Sequence, residues 1–431
     1  MDEFVFIVIF SILGFFLGCF TGLVPGLHVN TLSMILLASS HLLIKFLPFD
    51  HNFACLLICS LIVSISIAHT FVNIIPATIL GVPDEDTALT ILPAHRLLLN
   101  GRGYEAIVLS SIGSFGAILA SIFLLFPYKC ILGEPLNFYT FLRTNLFWIL
   151  LSIVLLMIFT EGARRKDKIW ASLKASFVIL LSGLLGLLSL DFPVSSPFGL
   201  PSSTLMPLLA GLFGLSNQIN SLVTKAKIER QLLEEPEMGN KKEVILSVFS
   251  GSIAGAIVSV VPGITSAIGT ILALGLRGSA NDKQVIVTLS AVNTSCAFLV
   301  ISALFAISRA RSGAAIVIAN LLDIDPWKGL APPLDFLYFL IPMVIAGFLS
   351  FPMTCFLGKF VLGRIEKVPY ALLTKISIIF IVIVTFIFTG FHGLLLLFTS
   401  TAMGMIPIWI GVRRSNCMGV LLIPIMLNLL T

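Results

Sequence analysis

Charge is scarce in this chain. Lys and Arg number 26 and Asp and Glu 21 in 431 residues, 11% in all, against about 25% in a soluble domain. That is too little to coat a water-facing surface of this size, which excludes a water-soluble globular protein. Cysteine pairing is missing as well. The seven cysteines (Cys19, Cys55, Cys59, Cys130, Cys296, Cys355, Cys417) lie mostly in apolar runs and form no C-x-x-C or His/Cys ligand spacing, so they read as small packed hydrophobes and no metal site is expected. Neither H-E-x-x-H, G-x-S-x-G nor a Gly-x-Gly-Asp pair occurs, which argues against an intramembrane enzyme. Basic residues are spread through short loops with no aromatic-flanked cluster, so the formal charge of +5 carries no nucleic-acid signal. No basic segment precedes the first apolar run, so that run reads as a retained helix and not as a secretory signal.

What the chain has is lipid-compatible surface. Hydrophobic residues make up 58%, and the mean hydropathy is +1.08. A crossing needs ~20 apolar residues, and the apolar runs supply about 10–12 membrane segments. The expectation is an all-α polytopic membrane protein, multi-pass in the cell membrane and in contact with its lipids.

One stretch breaks the pattern. In residues 224–243 five basic residues meet five acidic ones, and this reads as a charged linker between a first repeat, 1–223, and a second, 244–431. Gly14-x3-Gly18-x6-Pro25-Gly26 recurs as Gly251-x3-Gly255-x6-Pro262-Gly263, 237 positions further on, which reads as a duplication. The basic loops (Arg164 to Lys168, the linker, Lys359 to Lys375) alternate with loops poor in Lys and Arg around Glu134, around Asp191 and from Asp323 to Asp335. By the positive-inside bias the linker faces the cytoplasm and the acidic N-terminus lies outside. The halves would then be inverted repeats with broken or re-entrant helices, as in many secondary transporters.

Gly14 and Gly18 make a small-x3-small face for close helix approach. Pro25-Gly26 and Pro262-Gly263 free backbone groups at a depth where lipid cannot satisfy them, so each break must line a cavity or be buried in protein. Polar residues follow each break: His28, Asn30 and Thr31 in the first copy, Thr265 and Ser266 in the second. Two helix N-termini converging there would bind an anion; a pair of proline kinks with back-bonded hydroxyls is the plainer alternative. His28 and His69 either titrate or simply donate to carbonyls. Asp84, Glu85 and Asp86 suit cation coupling, as does His69, but these carboxylates could equally cap the next helix. Arg309 and Arg311 could meet an anionic substrate or mark a cytoplasmic loop.

Several stretches resemble the large integral-membrane subunit (TctA) of the tripartite tricarboxylate transporters. They are Gly22-Leu23-Val24-Pro25-Gly26-Leu27, Ser64-Ile65-Ser66 leading to Asn73-Ile74-Ile75-Pro76, and the run from Pro83 to Glu105. Gly183-Leu184-Leu185-Gly186, Gly211-Leu212-Phe213-Gly214-Leu215 and Pro262-Gly263 continue the likeness. His28-Val29-Asn30 and the acidic Asp84-Glu85-Asp86 depart from the family pattern. The resemblance implies a permease that moves an organic anion such as a di- or tricarboxylate by symport. It adds Asn73 to the substrate-binding candidates, and it implies a small membrane subunit and an extracytoplasmic binding protein as partners. A proton or sodium ion would supply the driving force, with no other cofactor. The same Pro-Gly breaks also fit a translocase for a polyprenyl-phosphate lipid.

Overall fold

The apolar runs form helices, and among the described residues there is no strand. The computed structural model describes residues 2–24, 29–81, 91–163, 167–200, 202–223, 229–234, 236, 240–261, 265–275, 281–365 and 369–430. The first half holds α1 (Asp2–Leu23), α2 (Val29–Phe46), α3 (His51–Val72), α4 (Ile74–Leu80), α5 (Ile91–Leu99) and α6 (Gly103–Leu132). Then come α7 (Phe138–Thr144), α8 (Leu146–Ala163), α9 (Lys168–Ser189) and α10 (Leu205–Leu209), which a π-helical turn (Ala210–Leu215) joins to α11 (Ser216–Val223). The second half holds α12 (Lys241–Val258), α13 (Ser266–Gly275), α14 (Asp282–Ile307), α15 (Gly313–Leu321) and α16 (Leu334–Ile365). It ends with α17 (Tyr370–Ile410), a 3-10 turn (Arg414–Met418) and α18 (Gly419–Asn428). The charged linker is slightly shorter than the sequence suggests, because Asn240 caps α12 through the Lys242 amide and helix begins at Lys241.

Among the described residues, eight helices are long and apolar enough to cross a membrane. The two most enclosed are the α3–α4 run His51–Leu80 and α14, at 94% and 83% of the best window buried, so these form the centre. Large apolar side chains elsewhere face outward, among them Phe123, Trp148, Phe159, Trp170 and Phe391, as a lipid-solvated protein requires. α17 changes direction at Gly390, whose φ of 63° lies in the left-handed region that glycine enters without steric cost; each half of this run is of membrane length.

The glycine pairs set the central packing. A Cβ on Gly14 or Gly18 would collide with the backbone of Leu61 or Ile65 on α3, and one on Gly251 or Gly255 with Thr288 or Val292 on α14. α1 therefore lies on α3 as α12 lies on α14. Leu61 and Ile65 are thus matched with Thr288 and Val292, 227 positions apart. The same shift carries Gly81, the left-handed C-cap of α4 (φ 61°), onto Ser308, the left-handed C-cap of α14 (φ 50°).

Packing across the halves is reciprocal. α14 lies against α6, where Ser110 and Ser290 share a 2.7 Å hydrogen bond, and α3 lies against α16. The ends of the two halves are also exchanged. The π-helical turn and α11 pack on α17, with Gly211 against Leu397 and Gly404 against Leu212, while α18 packs on α9, with Gly186 against Val420. The Arg414 guanidinium, with only 7% of the residue exposed, donates to the carbonyls of Leu212 and Phe213 and to Ser216 Oγ, acceptors on the widened turn.

Polar groups sort to two ends. Glu3, Asp50, Asp323 and Asp335 line one shared depression. Lys129, near the end of α6, donates to Gly329 O at 2.9 Å, in the segment between Asp323 and Asp335. At the start of α6, Glu105 pairs with Arg102 and Lys283, Asp282 pairs with Arg96, and Gln284 donates to Glu243. The linker docks there too, through Leu232 N to Gly101 O (2.8 Å) and Gln231 Nε2 to Leu98 O (2.8 Å). α1 starts at the first end and α12 at the second, so these two matched helices run in opposite directions.

Candidate functional site

A cavity of about 160 Å³ lies where α3 and α14 cross. α3 gives it Ser66, His69 and Thr70, and its C-cap Asn73 follows; α14 gives Asn293, Cys296, Ala297 and Val300. These are matched positions under the 227-residue shift, so the cavity is built twice from the same four places on two helices. The side chains differ between the copies: hydroxyls, an imidazole and an amide on one wall, one amide and smaller or apolar groups on the other.

Three helix N-termini close it. Val29 and Asn30 begin α2, Thr265 precedes α13, and Arg311 and Ser312 precede α15. The N-terminal end of a helix carries roughly half a positive charge from its aligned peptide dipoles. Arg311 adds a full one, and no carboxylate lies among the described lining residues. Polar groups aligned this way attract an anion and repel a cation.

Local bonds hold the frame. Asn30 Oδ1 accepts from Gly313 N at 2.8 Å, tying the start of α2 to the start of α15 across 283 residues of chain. Ser312 Oγ caps α15 by accepting from Ala315 N at 3.2 Å. Thr70 and Thr294 hydroxyls meet at 3.0 Å and join α3 to α14. Thr21 Oγ1 lies 3.1 Å from Gly18 O and 3.2 Å from His69 Nδ1, a contact that joins α1 to α3 beside the cavity. Ser266 Oγ reaches Asn293 Oδ1 at 3.5 Å, the outer limit of a hydrogen bond, and the buried Thr265 Oγ1 has no partner among the described residues.

Of the residues singled out in the sequence, the structure brings Asn30, His69, Asn73 and Thr265 to this cavity, with Ser266 one contact behind it. Thr31 stands in the first turn of α2. Pro25, Gly26, His28, Asp84, Glu85, Asp86, Pro262 and Gly263 lie outside the described residues. Arg311 resolves toward the cavity, whereas Arg309 is exposed. Sequence reasoning missed the third N-terminus, α15, and the place of Ser66, Asn293 and Cys296 on the cavity wall. The register that would have exposed them changes between the helices, from 237 at the glycines to 227 at α3 and α14.

A multi-pass helical membrane protein with a polar, cation-lined cavity at the crossing of two enclosed helices has the form of a transporter's membrane subunit. The chain belongs to the tripartite tricarboxylate transporter TctA family, which matches residues 8–419. It is also similar to an uncharacterized protein of Methanocaldococcus jannaschii, 30% identical over 429 residues, covering 98% of this chain and 99% of that one. No solved structure matches it. Membership in a tripartite system implies that partner subunits work with this one.

Proposed function

We propose that the protein is a secondary carrier for an organic anion such as a di- or tricarboxylate, and that the cavity between α3 and α14 is its substrate site. The observation that carries the reading is the convergence of Arg311 with the N-termini of α2, α13 and α15 on one cavity. Arg311 would hold a carboxylate as a bidentate pair. The amides of Asn73 and Asn293 and the Ser66 and Thr265 hydroxyls would take the remaining oxygens. Asn30 positions the two helix starts.

The halves are read as inverted repeats, supported by the matched packing of α1 on α3 and α12 on α14 and by their opposite directions. Rocking of one repeat against the other would expose the cavity alternately to the two sides. A proton or sodium gradient would drive the step. His69 is the proton-carrying candidate at the cavity, and Asp84, Glu85 and Asp86 remain coupling candidates from the sequence alone. By the positive-inside bias, the end holding the linker faces the cytoplasm and the end holding Glu3 and Asp323 faces out. A small membrane subunit and an extracytoplasmic binding protein would complete the system on that outer side.

The test is thermal stabilisation of the detergent-purified chain by di- and tricarboxylates, inorganic phosphate and a polyprenyl phosphate, each with and without sodium. Stabilisation by a soluble carboxylate, with uptake of the same anion into vesicles under an imposed gradient, is the expected result. Stabilisation by the lipid phosphate alone would instead assign the cavity to a lipid translocase.

A further inference from the structure

A second cavity, of about 340 Å³, opens on the outer surface of the molecule where α8 ends and α9 begins. Gly162 keeps the two helices close, because a Cβ there would strike Ser172 Oγ and the backbone of Lys168. Phe159 on α8 and Ile169 and Leu173 on α9 wall the groove, and all three are exposed. Two serines lie between them, one turn apart. The Ser176 hydroxyl donates to Ser172 O at 2.9 Å and that of Ser172 points to Ile158 O at 3.5 Å, so both are turned onto helix backbone and the interior stays compatible with a hydrocarbon chain.

One end of the groove is cationic. Lys168 lines it from the first turn of α9, exposed and in no ion pair among the described residues. In sequence, four basic residues meet one acidic residue over 164–168. Asp167, before the first turn of α9, makes no side-chain cap bond, so the positive end of the helix dipole adds to the same place. From Lys168 the groove follows α9 to Ser176, about 12 Å at 1.5 Å per residue.

The cationic end stands at the membrane surface. Trp170 on α9 and Trp409 at the end of α17 are exposed, and Lys174 Nζ, 3.4 Å from Ile410 O, sets these two helix ends side by side. Exposed tryptophans gathered at one level mark the headgroup boundary. Trp148, also exposed, stands about 22 Å from Ala163 along the axis of α8, toward the opposite boundary. A free anion would use Lys168 but leave the apolar walls bare, and a neutral lipid would use the walls but not the charge. An anionic lipid uses both.

We propose that the α8–α9 groove binds an anionic phospholipid, its phosphate at Lys168 and the start of α9 and one acyl chain between Phe159 and Leu173. Next to Gly162, Glu161 holds Arg413 at 2.6 Å, and Thr160 accepts from the same guanidinium at 2.9 Å. The bound lipid would therefore brace the helix pair that receives the end of the chain. The site stands whichever anion the central cavity carries.

The experiment is the thermal midpoint of the full chain in a non-ionic detergent, titrated with phosphatidylglycerol, phosphatidylcholine or inorganic phosphate. Phosphatidylglycerol is expected to raise the midpoint saturably, by ~2 °C or more over phosphatidylcholine, and inorganic phosphate to give no rise that depends on Lys168. Lys168→Gln should weaken phosphatidylglycerol binding about fivefold; Ser176→Phe, which fills the groove and leaves the charge, should abolish it. The rise should persist in Arg311→Ala, which alters the central cavity. Equal rises with both lipids would overturn the site, as would a phosphatidylglycerol effect undiminished in either groove variant. A Lys168-dependent match by inorganic phosphate would overturn the lipid assignment, and loss of the effect in Arg311→Ala would place the lipid in the central cavity instead. Lys168 is exposed, so its variant decides the matter even where Ser176→Phe fails to fold.

Discussion

At the scale of single residues, Arg311 and Asn30 do different work in one cavity. Arg311→Ala is expected to remove a charge-assisted pair worth about 1.5–3 kcal/mol, roughly 10- to 100-fold in Kd. Arg311→Lys should fall between, since an ammonium keeps the charge but loses the planar fork. Titration of the stabilising anion against each variant checks both. Asn30 is a framing residue: Asn30→Ala orphans the buried amide of Gly313 and should cost ~1–3 kcal/mol of stability. Asn30→Asp keeps an acceptor for that amide but adds a negative charge, so it should preserve the fold while weakening anion binding. The polar character of Asn30, Thr265 and Ser266 after the Pro-Gly breaks was legible, because a polar run inside an apolar one has few explanations. Arg311 was ambiguous, because a cation between two apolar stretches reads equally well as a loop marker, and only the fold decides which way the chain turns after Ser308.

At the scale of helices, the glycine pairs are legible in the sequence as a close-packing face, and the structure adds what they face. Gly18→Leu and Gly255→Leu each push a side chain into the backbone of Ile65 or Val292. A destabilisation of ~1–3 kcal/mol is expected for each, similar in the two because the contacts are matched; midpoints of the two variants, measured side by side, check the equivalence. The wall of the cavity was hidden for a specific reason. The segment between the glycine helix and the central helix is longer in the first half, where α2 runs Val29–Phe46, than in the second, where α13 runs Ser266–Gly275. One fixed shift therefore cannot align both glycines and lining residues. His69 and Cys296 occupy matched positions, yet nothing in their chemistry announces it.

At the scale of the whole molecule, the proposed orientation puts the two polar ends on opposite sides of the membrane. A single cysteine placed at Glu234 and another at Lys328, in a background lacking the native cysteines, should label from opposite sides of sealed vesicles with an impermeant reagent; labelling from one side would refute the inverted arrangement. The exchanged ends carry one more implication, for the chain during its own synthesis. α11 ends at Val223 and its partner α17 begins only at Tyr370, so at ~5–20 residues per second the ribosome leaves α10 and α11 unpartnered for on the order of ten seconds. The buried Ser216, Asn217 and Gln218 must spend that interval without Arg414 or Ser377. Insertion of the first half is therefore provisional. A chain truncated after the linker should be a target for membrane quality control, and co-expressing the missing half as a separate polypeptide should rescue it.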